Sequence, residues 1–136
     1  MTGYKNILYA IDLNAEKISS VIVALEFAQH FQSRFHVLYV NDPMAGYRHP
    51  TDREDTVALK IKEIAPKSLL EKSVIIYASA KGDTAKEILK YAKEQHIDLI
   101  IVGHKRRGKV YSSMFDSTDV NIIDEALLPV LVIPEM

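Results

Sequence analysis

The chain has 136 residues, of which 48% are hydrophobic and 26% are charged, the balance of one globular domain rather than of a disordered or membrane-embedded chain. The formal net charge of −1 offers no positive field to a nucleic-acid backbone, and the absence of cysteine excludes disulfides, thiolate metal sites and cysteine nucleophiles. We therefore expect a single domain over residues 1–136 that does not bind nucleic acid.

Strand and helix patterns alternate along the first half of the chain. Runs rich in Ile, Val and aromatic residues predict strands, and apolar residues at three- and four-residue steps predict helices. In chain order these are a strand over Lys5–Asp12, a helix over Asn14–Phe31, a strand over Arg34–Asn41, a polar mobile loop over Asp42–Asp55 and a helix over Thr56–Leu70. We expect Pro66 to end or kink the last of these near Ala65.

The second half continues the alternation and ends on a strand. In chain order the patterns predict a strand over Ser73–Ala80, a helix from Thr84, a buried strand over Asp98–Val102, a basic irregular stretch after Gly103, a helix over Asp116–Leu127 and a strand over Pro129–Ile133. Thr84 and Glu87 have the spacing of a capping box. The expected buried faces are Ala85, Ile88, Leu89 and Ala92 in the first helix and Val120, Ile123 and Leu127 in the second.

Strands that alternate with helices form parallel sheets, because each right-handed crossover lays a helix on one face. We therefore predict an α/β fold, a single doubly wound domain whose five-stranded parallel sheet has helices on both faces. Ligands bind such sheets outside the carboxyl ends of the strands, where the strand order reverses. The residues expected there are Asp12 and Leu13 after the first strand, Val40–Asp42 after the second and the segment Gly103–Ser117 after the fourth.

Three segments together resemble the universal stress protein family: YKNILYAIDLN at the start, VGHKRRG after the fourth strand and ALLPVLVIPEM at the end. In nucleotide-binding members, the loop after the fourth strand reads Gly, two residues, Gly, nine residues, Gly, then Ser or Thr. Gly103 and Ser117 match the first glycine and the hydroxyl, but Arg106 and Asp116 stand at the other glycine positions.

The resemblance also aligns Asp12 and Val40 with nucleotide-contacting positions, although Asp12 can simply end a strand and Val40 can simply be core. With Gly103, Arg106 and Ser117 they form a candidate nucleotide site that we expect to be degenerate. Glycines allow backbone N–H groups to approach phosphates closely. We expect no cofactor, and ATP is disfavoured.

The basic run Lys105–Lys109 leaves an alternative open, since its side chains could hold the phosphates of ATP or AMP in place of the glycines. The same run could be a solvated surface segment, or Arg106 could pair with Asp116. A carboxylate about 4 Å from a phosphate oxygen would cost a few kcal/mol, which weighs against a nucleotide beside Asp116.

The missing glycines fit the branch resembling universal stress protein A, whose members are understood not to bind ATP. That resemblance implies a non-catalytic, cytoplasmic stress-response protein with unidentified protein partners. It also implies a homodimer, built by antiparallel pairing of the last strand with its copy. The expected interface residues are Val130, Leu131, Val132 and Ile133.

Other site chemistry has less support. A Ser-His-Asp hydrolase would need His104, Asp12 and one of three serines, Ser112, Ser113 and Ser117, to converge, and the sequence has no G-x-S-x-G elbow. His49 and Asp52 are a lone pair on the expected loop, so we predict no metal site, and we expect His36 to pack within its strand. No apolar run reaches the roughly 20 residues of a membrane span, and no signal-peptide pattern is present, so we expect no membrane insertion or secretion.

Overall fold

The computed structural model describes residues 3–12, 19–41, 54–105 and 117–135. The described elements are β1 (Asn6–Ile11), α1 (Ser20–His30), β2 (Arg34–Asn41), α2 (Glu54–Ile64), α3 (Lys67–Glu71), β3 (Val74–Lys81), α4 (Thr84–Glu94), β4 (Leu99–Lys105), α5 (Ser117–Glu125) and β5 (Val130–Glu135). The strands form one five-stranded sheet in the order β3-β2-β1-β4-β5, and all their pairings are parallel. The predicted fold class is confirmed.

The sheet buries apolar side chains on both faces, because successive residues of a strand point to opposite sides. In β1, Ile7 and Tyr9 pack with residues of α1, α2 and α3, whereas Leu8 packs with residues of α4 and α5. We call these two sides of the sheet the α1 face and the α4 face. None of the described helices is both long and apolar enough to cross a membrane.

The described part of α1 presents an apolar side to the sheet, with Val21, Leu25 and Ala28 buried. Phe31, predicted as the last residue of this helix, lies at its C-cap and remains 38% exposed. The Phe31 ring meets the ring of Tyr4 edge-on, with centroids 5.0 Å apart. The predicted end of the helix was one residue too late, because the last helical residue is His30.

Pro66 divides the next helical region as predicted. The helix α2 ends at Ile64, and Pro66 then stands at the N-cap position of the short helix α3. Since α2 begins at Glu54, the predicted loop loses its last two residues to this helix, and its remaining residues, 42–53, lie outside the described ones.

The predicted capping box of α4 was wrong by one residue. The N-cap is Asp83, whose Oδ2 accepts a hydrogen bond from the backbone N–H of Lys86 at 3.0 Å. Aspartate caps a helix well because its carboxylate can reach the unpaired N–H three residues on, so Thr84 becomes the first helical residue. The buried face was predicted well: Ala85, Ile88 and Ala92 are buried and Leu89 packs against them.

The buried side of α5 also differs from the prediction. Ile122 is fully buried on the α4 face, whereas Ile123 is 41% exposed and Leu127, which lies beyond the helix, is 99% exposed. Only one of two adjacent isoleucines can face the sheet, and Ile122 shares that side with Ala126. The side chain of Val120, the third predicted core residue, lies outside the described ones.

Candidate functional site at the carboxyl end of the sheet

The strand order reverses between β1 and β4, so this pair of strands marks the expected ligand edge. The sequence predicted that the fourth strand ends at Val102 and that an irregular stretch follows Gly103. In the structure β4 continues through Lys105, so Gly103 lies inside a strand. The strand β5 likewise extends two residues beyond Ile133 and pairs Glu135 with Lys105. These two extensions bring a carboxylate to the ligand edge of the sheet.

Gly103 and Glu135 approach each other on the α1 face. A Cβ atom added at Gly103 would overlap Oε2 of Glu135 and would stand 2.5 Å from Oγ of Ser20. Real Cβ atoms do not tolerate such distances, so any other residue at position 103 would push the carboxylate or the serine away. A glycine at position 103 therefore allows the Glu135 side chain to approach this closely.

The Glu135 carboxylate lies at the first residue of α1. Its Oε1 accepts hydrogen bonds from the backbone N–H of Ser20 at 3.0 Å and from the hydroxyl of Ser19 at 3.1 Å. Its Oε2 accepts from the Ser20 hydroxyl at 2.5 Å. A carboxylate at a helix N-terminus is stabilised both by the unpaired N–H groups and by the helix dipole.

A buried tyrosine extends this network into the core. The hydroxyl of Tyr9 lies 2.7 Å from Oγ of Ser20, and both residues are 1% exposed. Because the Ser20 hydroxyl donates to Glu135, it accepts from Tyr9, which gives a directed chain of hydrogen bonds from Tyr9 through Ser20 to Glu135. We call Ser19, Ser20 and Glu135 the serine–carboxylate cluster.

The charges of Glu135 and Asp12 both act on Tyr9. Burial raises the pKa of Tyr9 far above its usual value of 10.0, and the negative charges of Glu135 and Asp12 raise it further, against the opposing hydrogen bond from Ser20. Both carboxylates therefore act on a single hydroxyl group, and Tyr9 remains protonated at every physiological pH.

The other residues of the candidate nucleotide site have no described contact with this cluster. Val40 is half-buried and packs against the hydrophobic cluster of the α4 face, which is the core role left open for it. Arg106 and Asp116 lie outside the described residues, as does the side chain of Ser117. Among the predicted site residues that the structure describes, Gly103 approaches the serine–carboxylate cluster directly, and Asp12 is connected with it through its charge effect on Tyr9.

Sequence reasoning missed both Glu135 and Ser20. The signal that could have found Glu135 is strand parity: if β5 continues past Pro134, residue 135 points to the same face as Leu131 and Ile133, toward α1. Nothing in the sequence alone aligns that carboxylate with Ser20, because the contact joins residues 115 positions apart.

The alternative chemistries gain no support from the described residues. His104 is half-buried in β4, but Ser112 and Ser113 and the side chain of Ser117 lie outside the described part of the chain. No group of three His, Asp or Glu residues that could hold a metal occurs where side chains are described. His49 and Asp52 both lie outside that part.

The last strand is an edge of the described sheet, with β4 as its neighbour. The four predicted interface side chains mostly serve their own domain: Leu131 and Ile133 pack on the α1 face, and Val130 and Val132 pack on the α4 face. An antiparallel partner would therefore be held mainly by the outer backbone edge of β5. Leu127, almost completely exposed just before the strand, adds apolar surface there.

The family model described as "Universal stress protein family" matches residues 3–134 of this chain. A search of the curated proteins found no significant match. Among solved structures, the universal stress protein UspA from Lactobacillus plantarum is 24% identical, with a TM-score of 0.71 over 98% of this chain and 99% of that one.

Two further structures have the same fold. A universal stress protein in complex with cAMP is 14% identical, with a TM-score of 0.74 over 99% of this chain and 100% of that one. A universal stress protein from Archaeoglobus fulgidus is 22% identical, with a TM-score of 0.62 over 96% of this chain and 93% of that one. At these identities the likeness demonstrates the fold.

Proposed function

Since this chain belongs to the universal stress protein family, we propose that it is a non-catalytic, cytoplasmic stress-response protein that acts as a homodimer and binds no nucleotide tightly. The observation that carries this proposal is the position of the Glu135 carboxylate against Gly103, the one glycine retained from the nucleotide-binding loop pattern. That carboxylate would oppose a phosphate group that approached Gly103.

The repulsion between this carboxylate and a phosphate is large enough to weaken nucleotide binding. A phosphate oxygen about 4 Å from a carboxylate is opposed by about 1 kcal/mol in water and about 4 kcal/mol at an effective dielectric constant near 20. That range corresponds to roughly 5-fold to 1,000-fold weaker binding.

The proposed dimer rests on the edge position of β5. A strand with one neighbour leaves unpaired N–H and C=O groups that favour pairing with another strand. Pro134 lacks an N–H and would limit that pairing to the preceding residues. The exposed side chain of Leu127 would be covered in the same contact.

The proposed lack of catalysis is supported by the states of the buried ionisable groups. Tyr9 is locked in its protonated form and serves in the hydrogen-bond chain to Ser20. His36 is 3% exposed and bonded through both ring nitrogens, to Tyr91 and Asn6. Neither group is placed to accept a proton from a substrate in solution.

Nucleotide binding through the basic run Lys105–Lys109 is the competing function. The similar fold of a universal stress protein in complex with cAMP makes cyclic nucleotides, besides ATP and AMP, the ligands to compare. That competing function predicts binding that weakens steeply with salt, because side-chain cations would hold the phosphates without a backbone cradle.

Sedimentation velocity with two optical systems tests the proposal in one experiment. Interference optics follow the protein, and absorbance at 260 nm follows the nucleotide once the contribution of the seven tyrosines and four phenylalanines has been subtracted with a run lacking nucleotide. At micromolar protein we expect a dimer whose sedimentation coefficient is unchanged by Mg-ATP or cAMP and no nucleotide boundary moving with it. A monomer, or nucleotide that sediments with the protein, would contradict the proposal.

A further inference from the structure

The helices α1 and α3 leave an open cleft between them on the α1 face of the sheet. Its floor contains Ile22 of α1 and Leu69 of α3, which both pack with the hydrophobic core of that face. The cleft has a volume of about 240 Å³ and is open to solvent on its outer side. Pockets for drug-sized ligands usually measure about 300–1,000 Å³. The cleft therefore suits a smaller molecule that has an apolar part.

Polar side chains of both helices form the rim of this cleft. Those of α1 follow Ile22 on the same side of the helix, at steps of four and three residues, and those of α3 lie on the opposite wall. They are Glu26, Gln29, Ser68 and Lys72. Within the part of the chain that the structure describes, none of the four side chains forms a hydrogen bond or an ion pair. The described fold thus leaves all four able to bind a ligand.

The charges of the rim select the kind of ligand. Glu26 supplies one carboxylate from α1, and Lys72 supplies one ammonium group from the C-cap of α3. A ligand with a single charge would meet one complementary group and one group that repels it. A ligand with both an ammonium and a carboxylate group would complement both side chains. Charge complementarity therefore favours a zwitterion.

We propose that this cleft binds a small apolar α-amino acid, whose ammonium group lies at Glu26, whose carboxylate lies at Lys72 and whose side chain packs on the apolar floor. An amino acid carries both charges at one end and its apolar group at the other, which matches a charged rim above an apolar floor. A branched aliphatic side chain would bury the apolar surface that the two helices leave exposed there.

The inference goes beyond the proposed function, because it assigns a small-molecule ligand to a different part of the sheet. Gln29 lies near the end of α1, just before β2, and Lys72 lies just before β3. This end of the cleft is thus near the amino ends of the strands, whereas Gly103 lies near the carboxyl end of β4. Binding in the cleft and binding of nucleotides at Gly103 can be measured separately.

Titration of ¹⁵N-labelled protein with leucine at constant ionic strength tests the inference. We expect saturable NMR shifts of the amides of Ser68 and Leu69, with a dissociation constant in the millimolar range. Since both charged side chains are exposed, Glu26→Gln and Lys72→Met should each weaken binding by about 3-fold to 5-fold. Ser68→Trp, which fills the cleft from its rim, should abolish the saturable shifts.

Two analogues of leucine assign each charge to its partner. Isopentylamine lacks the carboxylate, and isocaproate lacks the ammonium group. Glu26→Gln should weaken the binding of the amine and not that of the acid, and Lys72→Met should weaken the binding of the acid and not that of the amine. Leucine bound at another place on the surface would not give this crossed pattern.

The matched controls are Lys67→Met and Glu71→Gln, which remove the same charges from exposed positions of α3 outside the cleft. They should leave the affinity for leucine unchanged. Wild type without saturable shifts at Ser68 and Leu69, equal weakening in the controls, or analogues without the crossed pattern would overturn the inference. Should Ser68→Trp not fold, the crossed pattern in the two charge variants decides the question by itself.

Discussion

The Nδ1 atom of His36 lies 2.7 Å from the hydroxyl oxygen of Tyr91, which joins the strand β2 to the helix α4 inside the core. The other ring nitrogen, Nε2, lies 3.0 Å from Oδ1 of Asn6. An amide oxygen only accepts, so Nε2 carries the proton and Nδ1 accepts from Tyr91. The imidazole is neutral, and the prediction that His36 packs within its strand is confirmed.

This arrangement makes stability depend on pH. Burial and then the charge of Arg34 lower the pKa of His36 below 6.5, so the unfolded chain takes up a proton before the folded protein does. The stabilisation is complete above pH 6.5 and is lost as the pH falls through the lower pKa of the folded state. Urea unfolding at pH 7.5, 6.5 and 5.5 should show a steeper loss in wild type than in His36→Gln; parallel losses would contradict the assignment.

Asp98 anchors the start of the central strand from the neighbouring one. Its Oδ2 accepts from the backbone N–H groups of Lys5 and Asn6, each at 2.9 Å. Hydrogen bonds to a charged acceptor contribute about 1.5–3 kcal/mol each when buried and less when partly exposed, as here. We expect Asp98→Ala to lower the free energy of unfolding by about 2 kcal/mol, with Asp98→Asn affected less. The exposed Asp124→Ala is the control, and an equal effect there would refute the anchoring role.

Gly103→Ala tests the close approach to Glu135 through stability. The new methyl group would collide with the Glu135 carboxylate and the Ser20 hydroxyl, which should cost about 1–3 kcal/mol. In a Glu135→Ala background the cost should fall, since one of the two obstacles is gone.

Gly82 is the control for this pair of substitutions at positions 103 and 135. Its φ of 144° makes an alanine there strained by the backbone conformation. Gly82→Ala should therefore lose stability by the same amount with and without Glu135. If Gly103→Ala also loses the same stability with and without the Glu135 side chain, the carboxylate does not lie over the glycine.

A substitution in β5 can disrupt the proposed dimer contact while keeping the hydrogen bonds between β4 and β5. The carbonyl of Pro129 accepts from the N–H of Ile100, so the backbone groups of residues 129, 131 and 133 face β4 and those of Val132 face outward. Val132→Pro removes an outward N–H and should shift the sedimentation of the protein from dimer to monomer.

The control proline belongs on the opposite edge of the sheet. By the same alternation, Ser79 of β3 faces away from β2, because the N–H of Gly82 bonds to the carbonyl of Asn41. Ser79→Pro should leave the dimer intact. Monomers in both variants, or dimers in both, would show that β5 is not the specific interface.

The sequence predicted the elements better than their ends. Strand and helix periodicity is local, so the five strands and the break at Pro66 were predictable from neighbouring residues alone. The exposure of Ile123 was missed because tertiary packing decides which side of α5 meets the sheet. The cap was missed because Asp83 and Thr84 are adjacent and both residue types suit the N-cap position.

The candidate site was less predictable for a similar reason. Gly103 and Asp12 follow from the rule for the carboxyl ends of parallel strands, which needs only the order of the elements. The part played by Glu135 depends on two strands extending beyond their apolar runs and on a helix 115 positions away. A sequence pattern over a few neighbouring residues cannot predict a contact between residues so far apart in the chain.

A calorimetric titration of wild-type protein with Mg-ATP at physiological salt tests the central claim most directly. With the Glu135 carboxylate lying over Gly103 and engaging the donors of α1, we predict a dissociation constant in the millimolar range or no measurable heat. A stoichiometric isotherm with a micromolar constant would contradict the account, because it would mean that phosphates bind at this edge despite the internal carboxylate or away from it altogether.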